Sequence, residues 1–196
     1  EGRPLSFSHD VKSELVAYSA AERESGQMKP CCMQTETYAL FLFCRAFSAK
    51  EMGLKTEHKD IADRYAAAVR EMTGHKPKRE RTAGGKYRVV VEDPVDRQAI
   101  LSEFGYSGNE VNRRLNTGIL QDDGCRSALL RGAFLTAGTI TDPEKDYHME
   151  YVLSTKSLCM DLCDLLTEAG LGPKYVQRNG AHVIYFKDSE SVEDLL

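Results

Sequence analysis

Between His75 and Arg88 the chain reads HKPKRERTAGGKYR, where Lys76, Lys78, Arg79, Arg81, Lys86 and Arg88 stand against the single acid Glu80. About five net positive charges on one short stretch is a phosphate-binding pattern, because each cation that neutralises a phosphate releases a condensed counterion. The same residues also suit a solvated sheet edge, where lysines and arginines discourage edge-to-edge pairing, and the sequence leaves both readings open. Any nucleic-acid contact has to be local. The whole chain of 196 residues holds 26 Lys and Arg against 30 Asp and Glu, a formal charge of -4, which excludes binding by bulk positive charge.

Other side chains with chemical potential are scattered. Six cysteines (Cys31, Cys32, Cys44, Cys125, Cys159 and Cys163) form no C-x-x-C pair and no secreted-type framework, and there is no membrane-length apolar run. They suit a reducing cytoplasm. Cys31 and Cys32 precede the first half and Cys125 the second; packing thiols are expected, since structural zinc needs four clustered ligands. Cys159 and Cys163, four apart, are expected in a helix core. His148 and Glu150 read as a surface polar pair without a third ligand. Arg45 and Arg131, cations among apolar residues, suit ion pairing better than phosphate contact. No phosphate loop or nucleophile elbow occurs, and no cofactor is expected.

The elements that must position these groups occur twice. Pairing Ser48 with Gly138, Ile61 with Leu158 and Asp93 with Asp188 gives offsets of 90, 97 and 95 residues, with one extra loop at Thr141 to His148. Ahead of the repeats, Ser8 is expected to cap a helix carrying Val11, Leu15 and Tyr18, with Ala21 to Pro30 as linker. Thr35 to Phe47 is apolar on all sides and predicts a buried helix. A strand at Met52 to Glu57 follows, then a helix capped by Asp60 and stopped by Gly74. A hairpin turns at AlaGlyGly, and a helix opens at Asp93-Pro94. Asn109 to Leu115 suggests a short helix in the connection. The second half repeats the order through a helix at Arg126 to Ala137, an Asn179-Gly180 hairpin and a helix from Ser189. The expected organisation is an arm and linker at 1–30, repeats at 31–104 and 124–196, and a connection at 105–123. Each half reads α-β-β-α-β-β-α, an α+β class with antiparallel sheets. Gly132 with Thr136 and Ala133 with Ala137, joined by Cys44, Ala46 and Ser48, would let the two central helices meet at a pseudo-two-fold axis.

LLRGAFLTAG followed by TITDPEKDYHMEY resembles the second repeat of the WhiA family of bacterial regulators, whose N-terminal part is similar to LAGLIDADG homing endonucleases. SerPheSer at 6–8, LysProCysCys at 29–32 and YFKDSE at 185–190 fit the same pattern. The resemblance implies a pseudo-two-fold LAGLIDADG-like domain in a DNA-binding transcriptional regulator of sporulation and cell division. It implies a nucleoid-associated cytoplasmic protein with a C-terminal helix-turn-helix domain, for which this chain has no segment after Leu196. DNA is the expected partner, mainly through that further domain, with another regulatory protein as the alternative and no membrane. LAGLIDADG nucleases need an acid near the end of each central helix to hold divalent metal against the phosphates. Placing Ser48 and Gly138 on the final glycine of that motif puts Phe47 and Ala137 at the acid positions. No Asp or Glu lies between Thr37 and Lys50 or between Gly124 and Thr141. The expectation is a non-enzyme without catalytic or metal residues. The alternatives are a nuclease that has moved its acids to Glu51 and Asp142, or a protein-docking domain.

Overall fold

The structure is a computed structural model that describes residues 6–142, 144–146 and 148–187. The helix expected from Ser189, and Asp188 with it, lies outside the described residues. Helix α1 (Phe7–Glu24) is followed by α2 (Pro30–Leu42), β1 (Ala46–Phe47), β2 (Met52–Thr56), α3 (Lys59–Thr73), β3 (Lys78–Arg81), β4 (Tyr87–Val90) and α4 (Pro94–Glu103). After a 3-10 turn at Thr117–Ile119 come α5 (Asp123–Ala137), β5 (Gly138–Ile140), β6 (Met149–Leu153), α6 (Lys156–Glu168), β7 (Lys174–Arg178) and β8 (Ala181–Phe186). Both sheets are antiparallel, in the orders β1-β2-β4-β3 and β5-β6-β8-β7. The expected α+β duplication holds through Phe186.

Local chemistry explains the boundaries and corrects several expectations. The cap of α1 is Ser6, whose hydroxyl accepts the His9 N–H; Ser8 lies inside the helix, where its Oγ accepts the Ile140 N–H at 3.3 Å. The helix runs on to Glu24, its last turn held by Arg23, which donates to the Met33 carbonyl and to Glu36 of α2, so the linker shortens to the residues before Pro30. Proline's fixed φ starts α2 at Pro30, earlier than Thr35, and the helix ends at Leu42 because Ala46 and Phe47 pair with β2. Ala46 and Ser48 therefore contribute nothing to the helix contact. His58, and not Asp60, holds the N-cap position of α3, without a side-chain cap bond; Asp60 lies in the first turn, and the helix stops at Gly74 with φ +78°. No helix forms at Asn109 to Leu115: the Glu110 carboxylate takes the Ser107 and Gly108 N–H groups, and Asn116 opens the 3-10 turn instead.

The two central helices lie side by side. A Cβ on Gly132 would come within 2.5 Å of the Glu36 carbonyl oxygen and 2.8 Å of Ala39 Cβ, so glycine permits the approach. Around them one continuous apolar core joins Phe41, Tyr65 and Phe104 of the first half to Phe134, Tyr151 and Leu162 of the second. Helix α1 contacts α3 of the first repeat as well as α5 and β5 of the second. Among the described residues, no helix is long and apolar enough to cross a membrane.

Candidate functional site

Strand register sorts the basic hairpin onto two faces, since alternate residues of a strand point to opposite sides. Lys55, Arg88 and Glu80 stand opposite one another, as do Gly53, Val90 and Lys78; these rows face away from the helices. The intervening row of Leu54, Val89 and Arg79 faces the helical layer, where Arg79 bonds Asp63 of α3. Arg81, on the same side as Arg79, lies 4.2 Å from the Tyr87 ring centre. Ion pairs hold Lys78 to Glu80 and Glu92, Lys86 to Glu57 at 3.1 Å, and Arg88 to Glu80 at 2.7 Å. Arg88 keeps the Glu80 carboxyl below the usual carboxylate range. Among the described residues, only Lys76 and Arg81 of the six hairpin cations have no carboxylate within ion-pair distance. Exposed pairs of this kind contribute about 0–1 kcal/mol, so exchanging one for a phosphate costs little.

A cleft of about 640 Å³ opens between the sheets at the C-terminal ends of α2 and α5. Arg45, Lys55, Arg88 and Arg113 line it against the single acid Glu51; Val152 and the Asn179-Gly180 turn form the opposite wall, with Cys44 and Thr136 between. Arg45 and Lys55 are exposed and, among the described residues, have no carboxylate within 4.0 Å. Arg113 is engaged: it donates to the carbonyls of Leu42 (3.3 Å), Cys44 (2.7 Å), Arg45 (3.1 Å) and Phe47 (3.3 Å). Its guanidinium takes the last carbonyl of α2 together with three of the segment that follows, and offsets the negative end of that helix. Sequence reasoning missed this residue; the signal available was the adjacent pair Arg113-Arg114 in a polar connection, and Arg114 clamps Asp161 with two bonds of 2.8 Å.

Register also moves the expected acid positions. Phe47 pairs with Met52 and Ile140 with Met149, and β2 and β6 share their burial alternation over the first four residues. Phe47 thus corresponds to Ile140, 93 residues on, and Arg45 to Gly138, in place of Ser48. The corresponding residues are then Cys44, just past the end of α2, and Ala137, the last of α5, where Phe47 and Ala137 were expected. Cys44 is buried, donates to the Leu40 carbonyl at 3.0 Å, and burial pushes its thiol up to about 12. Glu51 lines the cleft, whereas Asp142 is outside its walls and accepts the Glu144 N–H at 3.0 Å.

The remaining candidates separate by burial. Arg131 meets Glu36 at 2.5 Å, Arg23 meets the same carboxylate at 3.2 Å, and Ser19 bonds it too, so Arg131 is a partly buried ion-pair partner of a buried carboxylate. Arg45 is outside any helix. His148 bonds Glu150 at 3.0 Å, just ahead of β6, and Arg178 bonds the other carboxylate oxygen at 2.9 Å. Cys159 is buried and Cys163 partly so. Cys31, Cys32 and Cys125, expected as separate packing thiols, instead converge with Asp122, because the helix contact brings the two N-termini together.

Residues 126–196 match the WhiA LAGLIDADG-like domain. Over 211 residues the chain is 30% identical to a probable cell division protein WhiA of Alkaliphilus oremlandii (strain OhILAs), covering 98% of this chain and 63% of that protein. The chain thus spans less than two thirds of that relative. The crystal structure of an N-terminal LAGLIDADG domain of WhiA superposes with a TM-score of 0.68 at 14% identity, over 99% of this chain and 91% of that one. The homing endonuclease I-DmoI, crystallised in complex with DNA and Mn, superposes with a TM-score of 0.52 at 12% identity, over 84% and 94% of the respective chains. These two superpositions show a shared LAGLIDADG fold.

Proposed function

This chain belongs to the WhiA family, and from that premise we propose that it is the catalytically silent, DNA-contacting part of a transcriptional regulator of sporulation and cell division. The cleft carries the reading: Arg45, Lys55 and Arg88 present positive charge between two sheets, with one carboxylate among the lining residues. Lys78 and Lys86 extend that surface along the hairpin and exchange weak ion pairs for phosphates, Lys76 adds a cation with no pair to break among the described residues, and Arg79 and Arg81 reach the backbone from the hairpin's other side. Such contacts position a protein on the duplex without reading bases; readout falls to the helix-turn-helix domain that the family resemblance implies. The protein then works on the nucleoid in the cytoplasm.

A fold neighbour crystallised with DNA and Mn supports DNA as the ligand. Cys44 and Ala137 speak against cleavage, since Mg²⁺ and Mn²⁺ want hard oxygen ligands held in pairs. The test is duplex binding by fluorescence anisotropy across a salt series. Arg45→Glu/Lys55→Glu/Arg88→Glu is expected to weaken binding at least about tenfold and to flatten the salt slope by about 0.9 for each lost phosphate contact. An unchanged slope places the DNA surface elsewhere. Plasmid nicking with Mg²⁺ or Mn²⁺ that disappears in Glu51→Gln or Asp142→Asn would restore the nuclease reading. One observation favours protein docking as a second reading: the open face of β6-β8-β7 shows Val152 and Val176 about two-fifths exposed over buried Val183. Val152→Asp/Val176→Asp abolishing capture of a regulatory partner, with DNA binding intact, would support it.

A further inference from the structure

Helices α2 and α5 run together, so their N-terminal ends meet at the opposite end from the cleft. Cys31 and Cys32 lie in the first turn of α2; Asp122 caps α5 and Cys125 lies in its first turn. Cys32 Sγ is 3.9 Å from Cys125 Sγ and 3.7 Å from Asp122 Oδ1, while Cys31 Sγ is 3.8 Å from Asp122 Oδ2. All four ligand atoms lie within 4.8 Å of one another. Thiolates bound tetrahedrally to zinc at about 2.3 Å are about 3.8 Å apart, which is the spacing found here. A disulfide would need about 2.05 Å, and all six cysteines are unbridged.

We propose that Cys31, Cys32, Asp122 and Cys125 form a zinc-class metal site that pins the two repeats together at the N-terminal ends of α2 and α5.

Three sulfurs and one oxygen select a borderline-soft cation over Mg²⁺ or Ca²⁺. Three thiolates and a carboxylate around a divalent ion leave a net negative centre, which the positive ends of two helices stabilise. The duplication explains the ligand set. Cys32 and Cys125 are 93 residues apart, the same spacing that relates Phe47 to Ile140, so they occupy equivalent places in the two repeats. The equivalent of Cys31 is Gly124, where a Cβ would sit 3.1 Å from Cys32 Sγ and 3.2 Å from Asp122 Oδ1. The missing side chain leaves room for Asp122 as the fourth ligand. Asp122 Oδ1 is already oriented by the Cys125 N–H at 3.1 Å, and its Oδ2 is held by the exposed Lys29 at 2.7 Å. Swinging that lysine into solvent opens the way in past Cys31, which is partly exposed. Metal bound here closes a connection of about 90 residues and stabilises the folded pair of repeats.

The 196-residue chain, reduced and stripped with chelator, would be titrated with Co²⁺ and then Zn²⁺. One equivalent is expected, giving thiolate-to-cobalt charge-transfer and tetrahedral d–d bands that zinc displaces, with a higher Tm in zinc. Cys32→Ser and Cys125→Ser should each lose more than the roughly 10–100-fold in affinity that outer-shell changes cost, while Cys163→Ser leaves binding unchanged. Should either buried variant fail to fold, the partly exposed Cys31→Ser carries the same test. Absence of stoichiometric uptake by the reduced chain overturns the site. So does uptake indifferent to these serines, or a cysteine cluster that only ever forms a disulfide between α2 and α5.

Discussion

The two sheets share topology and register, yet their open faces have opposite chemistry. The first carries Lys55, Arg88 and Glu80 in one row across its strands, and at the corresponding places the second carries Val152, Val183 and Val176; in the next row Gly53, Val90 and Lys78 answer to Glu150, Tyr185 and Lys174, with Glu150 tied to His148 and Arg178. The inner faces, in contrast, are apolar on the central strands of both, with Arg79 and Arg81 confined to the edge strand of the first, because each must cover the same helical layer. A duplicated unit therefore keeps what the core demands and diverges where water, or a partner, is the neighbour. The central helices break the same rule most sharply at Glu36, which occupies the place that Leu129 holds in the second repeat, and both are buried.

Breaking that exception should have the largest effect. Glu36→Ala leaves Arg131 and Arg23 without their buried partner and is expected to cost about 3–5 kcal/mol by urea unfolding. Glu36→Leu, which copies Leu129, should fare little better alone, and Glu36→Leu/Arg131→Leu should recover most of the loss. The next comparison is Gly132 with its counterpart Ala39. Gly132→Ala drives a methyl into the Glu36 carbonyl and is expected to cost about 1–3 kcal/mol, whereas Ala39→Gly should cost about 1 kcal/mol or less.

The smallest difference is in pH dependence. His58 stands at the N-cap position of α3 where Thr155 stands at that of α6, neither side chain bonding its helix. Burial, followed by Lys12 and His9 nearby, pushes the His58 imidazole down from 6.5 to about 4, against weaker opposite pulls from Glu57 and Asp60. Its buried Nδ1 has no hydrogen-bond partner among the described residues. Between those values the unfolded chain binds a proton that the folded chain does not, so stability rises with pH through that window. It falls as pH drops from 6.5 to 4 and levels off below. For a partly buried ring the loss, discounted for solvent screening, is on the order of 1 kcal/mol, and His58→Thr should remove that slope from the pH dependence of Tm.

The duplication, the Gly74 stop, the Asp93-Pro94 start and the Asn179-Gly180 turn were legible because each depends on residues a few positions apart. The end of α2 was not. Phe43, Ala46 and Phe47 are apolar whether they continue a helix or enter a strand, and only the pairing of Phe47 with Met52 decides between them. That three-residue error displaced the inferred acid position from Cys44 to Phe47, while leaving intact the conclusion that no carboxylate stands there. The basic hairpin was legible as a group of residues. Its division between an open face and a helix-facing side was not, because that division depends on where β3 sits against β4.

Composition, periodicity and turn residues by themselves determined an α+β chain built twice over, with its positive charge gathered on one hairpin. Which cations reach the cleft, which arginine closes α2, why Glu36 is tolerated in the core and how three cysteines come to share one carboxylate were decided only by the packing of α2 on α5. Each of these rests on contacts between residues distant in sequence, up to about 95 positions apart, and local propensity carries no information over that range.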